Sequence, residues 1–154
     1  MIHITKTPNA DSRVAGMDIA LEDLKEATGE HILHVREGLY FFSDMLMNAA
    51  EKHDYTKLSE MEAYHRTLTT LTPGSQVKAS PWYKMHISKE RHHLLSKAPD
   101  DVNLVDILEY VTDCVMAGLS RTGEVSPLEL SDELLQNAFK NTVELLKTNV
   151  ELTE

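Results

Sequence analysis

Residues 30–57 read EHILHVREGLYFFSDMLMNAAEKHDYTK. Apolar residues recur in this stretch at Ile32, Leu33, Val35, Leu39, Phe42, Met45, Leu46 and Ala49, mostly three or four apart, which is helical periodicity. The helix opens on His31 and His34 and closes on the pair His53-Asp54, with Lys57 shortly after. At 1.5 Å of rise per residue, His34 and His53 are roughly 28 Å apart on one straight helix. The two histidines share a site only if the helix bends or ends between them.

Working outward, residues 1–16 read as irregular or briefly extended. Ile2 and Ile4 alternate with polar residues, then Pro8, Asn9 and Gly16 break the pattern. Residues 17–25 suit a short helix, with Thr28 as an N-cap for the long one or with both running together through Gly29. After Lys57, Ser59 is a candidate N-cap ahead of Glu60 and Glu62. TPGSQ at 72–76 is a loop, and Ser80-Pro81 opens a further helix in SPWYKMHISKERHHLL. Residues 105–119 form another amphipathic helix ended by Gly123, and a last helix spans about 132–151. The expected fold is all-α, a single domain of five or six helices with short loops.

Composition narrows the function. The 154 residues suffice for one domain with a real core, and the formal net charge of -10 disfavours binding to duplex nucleic acid. Cys114 is the only cysteine, so no intramolecular disulfide is expected and a reducing cytoplasm is the simplest setting. No apolar run approaches the roughly 20 residues of a membrane span, and MIHITKTPNADSR lacks the apolar core of a signal peptide.

Eight histidines against three phenylalanines point to metal or proton chemistry. His34, His53, Asp54 and Asp113 together offer a mixed nitrogen and oxygen donor set suited to Mn, Fe, Co, Ni, Zn or Mg. His86, His92 and His93 are candidates for a second ion. Plainer readings stand beside these. His31 and His65 suit a surface, and Asp113 suits a salt bridge or helix cap. The run Glu90-Arg91-His92-His93 suits a solvated face, and Trp82 and Tyr83 suit packing.

The order His34, His53-Asp54, Asp113 on successive helices resembles the HD-domain superfamily of metal-dependent phosphohydrolases, and HDYTK at 53–57 matches its frequent HD-x-x-K form. More narrowly, the chain resembles a small HD-like family found in viral and bacterial genomes. Its matching blocks are His34, HDYTK with Glu60, WYKMHISKERHH, and ILEYVTDCVMAGLSRTG, covering about residues 30–123. The resemblance implies an HD-like helical bundle whose core is 30–123, with a C-terminal packing helix at 131–152. It also implies that the long helix breaks near Gly38 or residues 41–43, or that the first ligand comes from a crossing helix.

By the same resemblance, His86 with His92 or His93 brings a second metal, so one or two divalent ions are expected. Asp54, Lys57 and Glu60 take catalytic roles, Glu60 orienting water or a histidine that lies behind the metal ligands. Lys57, Lys84, Lys89 and Arg91 are candidate phosphate contacts. The implied substrate is a nucleotide or other small phosphate ester, cleaved in the cytoplasm, which is the host's if the protein is viral. A homodimer is a mild expectation. Two alternatives remain: an HD-type di-iron oxygenase, and a non-enzymatic protein that sequesters a nucleotide or host factor.

Overall fold

The stretch at 30–57 falls, as far as Lys52, in one uninterrupted helix, α1, Leu21–Lys52. The computed structural model describes residues 1–5 and 18–153, so the expectations for 6–16 and for Met17 lie outside the described residues. Thr28 caps nothing, because α1 passes straight through Gly29. The break expected near Gly38 or at 41–43 is also absent. A helix-interior glycine costs only about 1 kcal/mol relative to alanine. Gly38 stands among leucine, aromatic and methionine side chains whose apolar face outweighs that cost.

The other elements follow in order: β1 Ile2–Thr5 ahead of α1, then α2 Tyr55–Ser59, α3 Met61–Thr70, a 3₁₀ turn at Val77–Ala79, α4 Pro81–Lys89, α5 Leu94–Lys97, α6 Leu104–Thr122, α7 Asp132–Thr148 and β2 Val150–Thr153. Among the described residues, the fold is all-α apart from one small strand pair. Among the described residues, no helix is long and apolar enough to cross a membrane.

The chain divides into two compact units. The first is Met1–Asp44 with Val143–Glu154. Here β1 pairs in parallel with β2, Ile2 opposite Val150 and Ile4 opposite Leu152. The last helix therefore ends earlier than the expected 151. Asn149 stops it: its amide side chain donates to Leu145 O at 2.9 Å, and its carbonyl accepts from Ile2 N at 2.8 Å. Beyond it, β-branched Val150 enters the strand pair.

The second unit, Met45–Thr142, holds the buried cluster Leu94, Val102, Ile107, Tyr110 and Ala138. Its helix ends follow local chemistry. Ser80 Oγ accepts from Tyr83 N at 3.1 Å, with Pro81 in the first turn of α4. Asn103 and Asp106 form a reciprocal capping box at the start of α6. Gly123, at φ 77°, closes α6. Gly118 is required by contact: a Cβ there would lie 2.5 Å from Glu124 O, where the chain folds back over α6. Ser59 does not cap α3 but ends α2, and α3 begins after Glu60.

Candidate metal centre

His53 and Asp54 form the two-residue corner between α1 and α2. Asp54 adopts φ 55°, ψ 23°, the only left-handed non-glycine residue among those described. That conformation costs an L-residue roughly 1–2 kcal/mol, which aspartate bears better than most. Glycine would fit the corner with less strain, so its carboxylate must contribute something the turn alone does not need. The corner turns both side chains toward residues from α4, α6 and the link between α4 and α5.

α4 supplies His86 from its last turn, and the chain leaving it supplies Glu90, His92 and His93. α6 supplies Glu109 and Asp113, four apart and so on one face. Around Asp54 Oδ1 lie His86 Nε2 at 3.4 Å and His92 Nε2 at 3.6 Å. His53 Nε2 lies 3.6 Å from Asp54 Oδ2 and 3.7 Å from Asp113 Oδ1. His93 Nε2 is 2.8 Å from His86 Nε2. Among the described residues, two groups have the spacing to hold a metal ion: His53, Asp54 and His92, and Asp54, His86 and His93. Asp54 belongs to both.

Hydrogen-bond bookkeeping fixes which ring atoms face inward. Glu109 Oε1 lies 2.9 Å from His53 Nδ1. A carboxylate only accepts, so Nδ1 carries the proton and Nε2 presents a lone pair. His86 is set the same way through a relay. Thr56 N and Thr56 Oγ1 both donate to Glu90 Oε1, at 2.9 and 2.5 Å. With its proton committed, Thr56 Oγ1 accepts from His86 Nδ1 at 2.6 Å, and His86 Nε2 is left as an acceptor, 2.8 Å from His93 Nε2. His92 Nδ1 also approaches Glu109 Oε1, at 3.0 Å, without the alignment of a hydrogen bond, and its Nε2 has no partner.

The inward-facing atoms are thus mostly acceptors. Among the described residues, Asp54 Oδ1 and both ring nitrogens of His92, at least one of which carries a proton, are buried without a hydrogen-bond partner. His86 and His92 are each 1% exposed, and Thr56 is completely buried. Buried acceptors facing one another without a donor are costly unless a cation lies between them. The donor set is nitrogen and oxygen without sulfur, which suits a borderline or hard divalent ion.

The charge states of Asp54, Glu109, His86 and His93 agree. Burial opposes ionisation of Asp54, but the hydrogen bond and charge of Lys57, with His53 and His92, hold its carboxyl below the usual range. Glu109 is also desolvated, yet its contacts with His92 and His53 keep it low and ionised. Burial lowers His86 despite Asp54. Burial, with His92 and His86 nearby, lowers His93 to about 4, so both rings are neutral at pH 7. His92 goes the other way: burial lowers it, but Glu109, Asp54 and Asp113 together raise it.

Of the residues singled out from sequence, the structure gathers His53, Asp54, His86, His92 and His93. Asp113 stands beside His53, and Lys57 Nζ donates to Asp54 Oδ2. Both members of the His92-His93 pair participate, one in each group. His34 is not brought in, since α1 carries no break between it and His53. Glu60 is exposed at the junction of α2 and α3, and Lys84 and Lys89 are exposed on α4. Arg91 is committed elsewhere. It clasps Asp106 at 2.7 and 2.8 Å and reaches Asp101 at 3.1 Å, an ion pair at the start of α6 that raises its pKa. Trp82 is buried and stacks between Tyr64 and His86, at centroid distances of 4.1 and 5.0 Å.

Sequence reasoning missed Thr56, Glu90 and Glu109. Glu109 had one usable signal, its position four residues before Asp113. No protein-family model, curated protein or solved structure matches the chain.

Proposed function

We propose that the chain is a metal-dependent phosphohydrolase of the HD type, cleaving a small phosphate ester, in which His53, Asp54 and His92, and Asp54, His86 and His93, would each hold a divalent ion. The observation that carries this reading is the set of buried acceptors around Asp54 Oδ1, two donor groups sharing one carboxylate. A divalent ion such as Mn, Fe, Co, Ni, Zn or Mg supplies Lewis acidity and makes a bound water a nucleophile at neutral pH.

The protein's own groups do the rest. Ionised Asp54 bridges the two halves. The hydrogen bonds to His53 Nδ1 and His86 Nδ1 keep the Nε2 lone pairs inward. Asp113, next to His53 and 30% exposed at its side chain, can complete the outer half or take a proton from water. Lys57, paired with Asp54, is the cation placed to hold a phosphoryl oxygen. Water oxygen bonds to phosphorus, the ester oxygen leaves with a proton, and inorganic phosphate and an alcohol result.

The test is phosphate release from a panel of nucleotides, sugar phosphates and aryl phosphates by protein whose metal content has been measured. Release that Asp54→Ala abolishes supports the proposal. Metal-loaded protein that hydrolyses no member of the panel contradicts it.

A further inference from the structure

Beside the metal centre a cleft of about 390 Å³ opens between the end of α1 and α6. That volume suits part of a small molecule. One wall is Leu46, Ala49 and Ala50, at helical spacing that leads on to His53. The other is Leu108, Thr112 and Met116. Ala49 and Ala50 add little bulk to the first wall. Leu46, Leu108 and Met116 keep exposed apolar surface along it.

The inner end of the cleft is His53, Glu109 and Asp113, so it is continuous with the metal centre. Among the described residues, neither lysine nor arginine lines it. Its two carboxylates repel a second anionic group and leave phosphate to the Asp54 and Lys57 side. Thr112 Oγ1 already donates to Leu108 O at 2.8 Å, so the walls offer little to read a polar edge.

Resting on the phosphohydrolase reading, we infer that this cleft receives the uncharged aromatic or aliphatic group of a phosphate monoester whose phosphate sits at Asp54. The enzyme selects an apolar alcohol by shape and rejects polyphosphate chains and small polyols.

Two measurements decide this. The first compares kcat/KM for 2-naphthyl phosphate and glycerol 2-phosphate on metal-loaded protein. The naphthyl ester is preferred by about 10-fold or more, the scale of a hydrophobic pocket's discrimination. Ala50→Leu, which fills the cleft, lowers that ratio by a similar factor. The second titrates naphthylmethylphosphonate, which cannot be hydrolysed, into methyl-labelled protein with and without zinc. The methyl signals of Ala49, Ala50 and Met116 shift, and methylphosphonate leaves them in place.

The two readings fail separately. Cleft methyls that shift while no ester is cleaved uphold the cleft and remove the hydrolase. Esters cleaved without naphthyl preference, with silent methyls, remove the cleft and leave the hydrolase.

Discussion

On one side of Asp54, His53 and His92 both approach a single oxygen of Glu109, and Asp113 and the cleft lie next to them. On the other side, His86 is held by the Thr56 hydroxyl, which is itself tied to buried Glu90, and His93 leans on His86. One half is oriented by an ionised carboxylate near an open cleft. The other is oriented by a neutral hydroxyl in the interior. The halves share a carboxylate but not their supports, so each can be damaged without the other. The His53 half, next to the cleft, is the one suited to meet substrate, and the His86 half is the one suited to hold an ion permanently.

The largest separation between the halves comes from Glu109→Ala. Removing a partner that orients a ligating histidine typically costs about 10–100-fold in metal affinity. The loss is expected at the His53 half alone, so calorimetric titration with zinc resolves one weakened site and one intact one. Equal weakening at both sites would mean that the halves are not independently supported.

Thr56→Val is the complementary change and has a smaller effect. It keeps the shape but leaves His86 Nδ1 without a partner and Glu90 Oε1 with only the backbone N–H of residue 56. About 1–3 kcal/mol of stability is expected to be lost, the cost of an unsatisfied buried group, and the weakened site is the His86 one. Urea unfolding and the same titration measure both. A variant as stable as wild type would break the relay from Glu90 to His86.

Acid distinguishes the halves in the metal-free protein. His93 is depressed to about 4 from 6.5, and His86 is also lowered. Over that interval the unfolded chain binds more protons than the folded one. This half's contribution is therefore complete above about pH 6.5 and lost as pH falls toward 4. His92 is raised, so its contribution is complete below 6.5 and lost as pH rises through its folded value. Replacing His93 with Gln should flatten the fall in Tm between pH 7 and 5. A steeper fall would reverse the assignment of which half stays neutral.

The smallest effect is expected at His34. With α1 unbroken, His34→Ala should change stability by no more than about 0.5 kcal/mol and leave metal content unchanged. Loss of a metal ion in that variant would mean that α1 does break, as the HD resemblance implies.

That residue shows where the sequence stops being legible. The pair His53-Asp54, the Ser80-Pro81 helix start and the stop at Gly123 could be read because each is a local event with its own residue signature. The helix through Gly38 could not, because one glycine is too weak a signal against so long an apolar face. Glu90 and His92 sat in a charged run that reads as a solvated surface, yet they are 4% and 1% exposed. Burial of that run depends on Thr56 and Glu109, which lie 34 and 17 residues from those partners in sequence. Nothing local marks Thr56, and Glu109 is marked only by standing four residues before Asp113. Arg91 shows the converse. It lies in the same run, and its role as a cation near a phosphate site was plausible until α6 placed Asp106 against it.

The most direct test of the shared carboxylate is elemental mass spectrometry of protein purified without chelator, wild type beside Asp54→Ala. The account expects close to two equivalents of divalent metal in the wild type and nearly none in the variant, because both halves lose their common ligand. Full metal content in Asp54→Ala, or no metal in either protein even after reconstitution, would contradict it.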